Sequence, residues 1–424
     1  MQIAVIGTGI AGMTAAYRLC RAHDITVYEA NDYIGGHTNT VAVPTANGPL
    51  HIDTGFIVYN EHTYPGFCRL LDELSVTTQP SEMSFSVRDD DANLEYCGST
   101  LGSLFAQRRN LLRPRFYRMI ADILDFNKRA LTFLDGDDER MTLGEFLYQG
   151  GWEAAFVDQY IIPMGAAIWS MQPRDMFEFP ARFFLRFFRN HGLLQVRDRP
   201  QWRTIRGGSA RYAEKLTAPF RDRIRLQAPV QRVRRLGNSV QVQSNGDTSI
   251  YDAVVIATHS DQALAMIEKP STNEREILSA MPYQANEAVL HTDTRLLPVR
   301  QRAWASWNYH LHREQPELAT LTYNMNILQR LQTDQTYCVT LNRTDAIDPR
   351  QVLATFNYDH PVYSTDSVAA QRRYDEINGR DRIYYCGAYW RYGFHEDGLQ
   401  SAERACGQLT RDIADGKLHL RRVG

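Results

Sequence analysis

The spacing of hydrophobic positions changes several times along the chain. IAVIG is a short apolar run that stops at Gly7, as a fully buried strand does. TAAYRLCRAH follows, with Ala15, Ala16 and Leu19 at helical spacing, and ITVYEA is a second β-branched run that ends at Glu29. Strand, helix and strand in so short a stretch predict one βαβ unit. RIRLQAPVQRVRRLGNSVQVQSNGDTSIYDAV alternates in period two, with turn signals at Gly237-Asn238 and Asn245-Gly246. It predicts a β-meander that feeds the apolar run YDAVVIATHS. RIYYCGAYW predicts a late strand, and GLQSAERACGQLTRDIADG the helix after it.

Aromatic-rich mixed stretches fill the intervals between these elements, with no internal repeat and no low-complexity linker. The layout predicts an α/β fold in which a Rossmann-like domain, with parallel sheet and meander, is interrupted by an α+β substrate domain. The expected boundaries are 1–80, 202–270 and 376–424 for the first domain and 81–201 and 271–375 for the second.

The 424 residues suggest two or three lobes at roughly 150 residues each. Hydrophobic residues at 43% and charged residues at 23% exclude wholesale disorder. A net charge of -2 argues against a nucleic-acid-binding protein. No apolar run approaches the ~18 residues of a membrane span. QIAVIG opens the sequence without a basic leader region, so a cytoplasmic protein is expected, with peripheral membrane contact left open. Six cysteines without a CxxC pair predict neither a disulfide framework nor a metal site. Only four of the 47 lysines and arginines are lysines, which leaves few for catalysis.

Gly7-Thr8-Gly9-Ile10-Ala11-Gly12 is GxGxxG between a strand and a helix. Gly7 permits the tight turn, Gly9 admits a pyrophosphate, and Gly12 lets helix and strand pack closely. Glu29 ends the second strand, twenty residues after Gly9, where a carboxylate accepts hydrogen bonds from ribose hydroxyls and repels a 2′-phosphate. Ala30 follows it. The fingerprint predicts a dinucleotide but does not separate NAD from FAD.

Past Glu29 the chain reads Gly35-Gly36-His37-Thr38. Here it resembles the flavin amine-oxidase-like superfamily, whose glycine pair is followed by a basic residue, usually Arg where this chain has His37. Asp53-Thr54-Gly55 resembles that superfamily's turn near the flavin, and Gly207-Gly208 its second paired glycine. VVIATHS, with Ala257 and Thr258, is similar to the strand under the adenine half, and Val230 is carried as a further contact. Gly387, with Asp397-Gly398-Leu399 and Ser401, resembles the C-terminal flavin motif, although Ala388 stands where an acid is usual. The resemblance implies FAD as the cofactor, bound at these residues.

A narrower resemblance lies in RNHGLLQVRDRPQWRTIRGGSARY, YIIPMGAAIWS, DTGFIVYNEHTYP and LFAQRRNLL. These are similar to one subgroup, found as stand-alone bacterial flavoproteins and as the N-terminal flavoprotein half of plant cyclopropane fatty acid synthases. The subgroup implies a hydrophobic or lipid substrate and makes a methyltransferase a candidate partner. ARFFLRFFRN supports an apolar ligand. Its Phe183, Phe184, Phe187 and Phe188 span an arc of about 140° at about 100° per residue, with Arg182, Arg186 and Arg189 opposite. Such a helix could lie on a membrane or line an acyl tunnel, with the arginines at lipid headgroups; a core helix with solvated arginines is the alternative. LFAQRRNLLRPRFYRM is a second basic-aromatic stretch.

Relatives that oxidise amines carry a lysine near the flavin. In NEAVLHTDTRLLP there is none, and His291 is the nearest titratable group. His291 and His191 are therefore the candidate catalytic residues, with His360 a further one; Trp169, Trp202, Tyr389, Trp390 and Phe394 are candidate pocket walls. No second dinucleotide fingerprint is present, which favours a substrate oxidase passing electrons to oxygen or a quinone. The reading is an FAD-dependent oxidoreductase that dehydrogenates an acyl chain by hydride transfer. The alternatives are oxidation of a small amine, or a non-redox isomerase or accessory partner of a lipid methyltransferase.

Overall fold

The computed structural model describes residues 1–195, 197–312 and 319–418. Its first sheet is parallel and five-stranded, in the order Ile224–Arg225, Asp24–Tyr28, Gln2–Ile6, Ala253–Ile256, Ile383–Tyr385. Successive side chains of a strand point to opposite faces, and both faces here are covered. Ile3, Val5, Ala253 and Val255 pack against the helices Ile10–Leu19 and His395–Ala414. Ala4, Ile6, Val254 and Ile256 pack against Val233, Val240 and Val242 of the meander. Burial on both faces is why these strands read as unbroken apolar runs.

The meander itself is antiparallel, Val230–Arg235, Val240–Ser244 and Asp247–Tyr251. Asn245 and Gly246 both have positive φ, 51° and 86°, as a two-residue hairpin turn requires. One expectation is corrected. RIR does not begin the meander; Ile224–Arg225 pairs in parallel with Val27 and Tyr28, and the Arg225 carbonyl accepts from Glu29 N–H at 2.9 Å.

The second sheet has seven strands, in the order Val352–Pro361, Tyr283–His291, Cys338–Leu341, Leu321–Asn324, Trp307–Leu311, Phe85–Asp89, Leu94–Cys97. All neighbours are antiparallel except Trp307–Leu311 beside Phe85–Asp89. Helices Pro114–Asp135, Leu143–Gly150, Ile162–Trp169 and Ala181–Asn190 share an aromatic core with this sheet. No helix among the described residues is long and apolar enough to cross a membrane.

The helix Ala181–Asn190 buries all four phenylalanines in that core. Arg182 is buried too and donates to the carbonyls of Phe133, Leu134 and Asp138. It is not free to meet a headgroup, so the helix is the core helix of the alternative reading, although its Arg182 is buried and not solvated. Arg186, more exposed, pairs with Glu139 at 3.2 Å.

Candidate active site

The glycine loop leaves the end of the first strand. Gly7 has φ 99° and donates to the Tyr28 carbonyl at 2.8 Å. A Cβ on Gly12 would stand 1.9 Å from the Gly7 carbonyl oxygen, so only hydrogen fits. A Cβ on Gly9 would meet nothing within 4 Å, although it caps the largely buried helix Ile10–Leu19. Ala257 and Thr258 close the other side of Gly7. Gly36, with φ 58°, lies against Gly9, and Gly35 N–H donates to the Thr8 hydroxyl at 3.2 Å. Glu29 is buried and accepts from Thr8 N–H and Asn31 N–H, both at 2.9 Å, and from the Thr8 hydroxyl. Ala30 beside it is exposed, and Val230 lies two residues past Ala228, whose N–H donates to the Glu29 carbonyl at 2.8 Å.

The next layer is built on His37. A Cβ on Gly55 would lie 2.2 Å from its carbonyl oxygen, and Phe56 N–H donates to that oxygen at 2.7 Å. The His37 ring stacks on His360 at 5.2 Å and 10°, and lies 4.9 Å from Tyr358 and 6.3 Å from His259. Asn286 Nδ2 donates to His360 Nδ1 at 3.1 Å, which leaves the neutral ring's proton on Nε2. Burial holds His37 well below the ordinary histidine range, and repulsion from His360 and His259 adds to it. Burial lowers His360 to about 4 and depresses His259. All three residues are only partly buried. His37 follows Gly36, which lies against Gly9, where a Cβ would meet nothing within 4 Å, and we read the space beside them as a crevice.

The third wall comes from the C-terminal helix. Gly387 N–H donates to Ser401 Oγ at 2.6 Å, and a Cβ on Gly398 would lie 2.7 Å from Ile10. Ala11 N stands 3.8 Å from that same position. Asp397 caps its own helix by accepting Phe394 N–H at 3.0 Å, and burial raises its carboxyl to about 7. His395 stacks on Phe56 at 3.6 Å, with Nε2 2.6 Å from Tyr212 Oη and 3.2 Å from Thr38 Oγ1. Phe394 stacks on Phe187 at 5.0 Å, and Trp169 lies 4.8 Å from Phe187. Phe183 and Tyr392 approach to 4.4 Å.

The pattern that defines the family described as "Flavin containing amine oxidoreductase" matches residues 10–298. The chain belongs to this family. AofH of Mycobacterium tuberculosis, named as a flavin-containing monoamine oxidase, is 26% identical over 274 residues. That match takes in 61% of this chain and 56% of AofH, so the chain spans just over half the length of that relative. Among solved structures, cyclohexylamine oxidase from Brevibacterium oxydans IH-35A has a TM-score of 0.70 at 15% identity, covering 97% of this chain and 99% of its own. A fatty acid isomerase from P. acnes has a TM-score of 0.67 at 16% identity, covering 96% and 98%. The structural likenesses show the fold, and the matched pattern shows membership of this flavin-containing family.

As a member of the flavin-containing amine oxidoreductase family, the chain offers what FAD needs. The open space at Gly9 beside a helix N-terminus suits a pyrophosphate. The side-chain atoms His259 Nδ1 and Tyr389 Oη are buried without a partner, and a polar group in the crevice would relieve that cost. Gly7, Gly9, Gly12, Gly35, Gly36, Ala257 and Thr258 would hold the dinucleotide half, and His37, Asp397 and Gly398 the flavin half.

Other expected site residues turn inward. Asp53 is buried and accepts from Thr40 Oγ1 at 2.6 Å, Ser209 N–H and Oγ at 2.8 Å, and Gln329 Nε2 at 3.1 Å. Its Oδ1 joins strand Thr40–Val43 to the turn after Gly208 and its Oδ2 holds Gln329; burial raises it to about 6. Thr54 Oγ1 lies 2.8 Å from Tyr358 Oη. Leu399 is buried in the core, close to Gly66.

His291 lies at the far end of strand Tyr283–His291, at hydrogen-bond distance from Thr340 Oγ1, 2.7 Å. Tyr283, at the near end, stacks on His259 at 4.3 Å. Eight residues of strand separate the two ends by roughly 26 Å, and burial lowers His291 to about 4. The structure does not bring His291 to the crevice. His191 stacks on Phe187 at 3.8 Å with Nδ1 2.9 Å from the Phe187 carbonyl, and burial lowers it to about 4; it backs the aromatic wall. The side chain that does face His360 is Asn286. Strand parity puts it on the face opposite to His291, a signal present in the sequence once the paired strand is known. Of the four lysines, Lys215 and Lys417 bind surface carbonyl and carboxylate groups, and Lys128 and Lys269 are exposed.

Proposed function

We propose that the protein dehydrogenates a hydrophobic acyl chain or lipid within this crevice. The observation that carries the reading is the low charge of the lining: Phe394, backed by the buried rings of Phe187 and Trp169, next to Asp397 and Gly398 in the chain, and the uncharged imidazoles of His37 and His360. Each methylene moved from water into such a site contributes ~0.8 kcal/mol. FAD, when bound, supplies the hydride acceptor. The chain supplies position and exclusion of water. A second hydrogen leaves the adjacent carbon as a proton. His37, whose ring nitrogens hold no hydrogen bond among the described residues, takes it, with its face stacked on His360, which Asn286 orients.

The test is anaerobic. Unsaturated and methyl-branched acyl lipids should bleach the flavin absorbance and yield a product lighter by two hydrogens. Bleaching by primary amines alone would defeat the proposal and establish the amine reading, which the names of AofH and cyclohexylamine oxidase favour. Altered double bonds with no product loss of hydrogen would establish an isomerase, in line with the P. acnes neighbour.

A further inference from the structure

Residues 101–118 hold five arginines and no aspartate or glutamate, in a chain of net charge -2. They form a short helix Leu101–Leu104, a tight turn Arg108–Leu112 and the start of helix Pro114–Asp135. Unlike the Phe-rich helix of the core, this segment leaves apolar side chains in solvent. Leu112 is 87% exposed and Leu124 53%, and Leu111, Tyr117 and Leu131 are exposed as well. Tyr117, Leu124 and Leu131 recur every seven residues, so they share one helix face. Tyr117 Oη donates to the Leu111 carbonyl at 3.0 Å, which joins the turn to that face. Scattered surface leucines are ordinary, whereas a connected strip marks a binding surface.

The charges beside the strip have different tasks. Arg109 and Arg113 bind the Asn93 carbonyl and hold the turn in place. Arg118 pairs with Glu153 at 2.8 Å, and Asp125 farther along the helix pairs with Arg129 at 2.8 Å. Arg108 and Arg115 are exposed and have no acidic partner among the described residues.

We infer that this face docks on an anionic membrane surface. Unpaired arginines beside exposed leucines match phosphate headgroups above an acyl layer. A second copy of the chain would set arginine against arginine in a twofold interface, which is unfavourable. The inference stands apart from the redox reading, because the face binds or fails to bind whatever the crevice oxidises.

The FAD-loaded full chain is sedimented with vesicles of equal phosphatidylglycerol and phosphatidylcholine, and with phosphatidylcholine alone. It should follow the first and not the second, and high salt should release it. Arg108→Glu with Arg115→Glu should cut partition by about tenfold or more, and Leu112→Ser with Leu124→Ser by about tenfold. All four positions are exposed, so the melting temperature and flavin spectrum should be unchanged. Absence of binding to the anionic vesicles, equal binding to neutral ones, or indifference to both variants overturns the inference. So does self-association abolished by the same variants, which would make the strip a protein interface.

Discussion

The imidazoles of His37 and His360 lie face to face, 5.2 Å between centroids and 10° from parallel. One ring follows the glycine pair of the first lobe; the other stands on the strand Val352–Pro361 of the second sheet. Two imidazolium rings would repel at this separation. The pair is therefore neutral, and the seam between the lobes carries no charge there.

Between about pH 6.5 and about pH 4, unfolded histidines bind protons that folded His360 refuses. The unfolded state holds more protons, so stability rises with pH across that window and is lost as pH falls. Thermal melts from pH 7 down to about pH 5 should show a falling midpoint. His360→Gln, which can still accept from Asn286, should flatten the fall. An unchanged slope would mean that His360 is charged in the folded protein.

Asp397 works in the opposite sense. Its carboxyl is raised to about 7, so the folded state binds the extra proton between the ordinary carboxylate range and that value. Stability from this group is present at low pH and declines as pH rises. Asp397→Asn keeps the cap on Phe394 N–H and should stabilise the protein at alkaline pH by on the order of 2 kcal/mol, and hardly at all at acid pH. Denaturant titrations at the two pH values decide it.

Gly9 and Gly12 should fail differently. Gly9→Val places its side chain in open space, so the protein should fold and purify colourless. Gly12→Ala drives a methyl into the Gly7 carbonyl and should lower the melting temperature by several degrees, a loss of roughly 1–3 kcal/mol. A yellow Gly9→Val protein would place the cofactor elsewhere.

Asn286→Ala should slow anaerobic flavin reduction by about tenfold or more, because His360 loses its orienting donor. His291→Gln should leave that rate unchanged and cost only stability. Stopped-flow reduction of the two variants separates the strand's near and far ends.

Arg182→Ala strands the carbonyls of Phe133, Leu134 and Asp138 and should cost about 2–4 kcal/mol. Arg189→Ala, at an exposed position, should cost less than about 0.5 kcal/mol. Chemical denaturation of the two proteins tests whether the helix is core.

The parallel sheet, the meander and the glycine loop were legible because each rests on local signals: apolar runs, Asn245-Gly246, and GxGxxG before a helix. The expected second domain could be outlined but its sheet order could not, since Trp307–Leu311 beside Phe85–Asp89 joins segments with no shared pattern. His291 is the titratable residue nearest in sequence to the expected lysine position. Only the pairing of Tyr283–His291 with Val352–Pro361 shows that Asn286 faces His360. Periodicity likewise gave the Phe183–Phe188 stripe correctly but not what covers it. An amphipathic helix looks the same in sequence whether its apolar face meets lipid or its own core.

Gly398 against Ile10, and Glu396 accepting from Gly66 and Phe67 N–H at 2.9 and 2.8 Å, staple the helix His395–Ala414 to the first elements of the chain. On the ribosome, the glycine loop emerges long before the helix that completes its crevice. Nascent protein must wait while the more than 300 residues between Phe67 and His395 are made, with the apolar faces of Ile10, Phe67 and the first strand uncovered. That interval is where chaperones would act and where aggregation competes. The third wall, with Asp397 and Gly398, is in place only after that helix has docked, so the site is finished late.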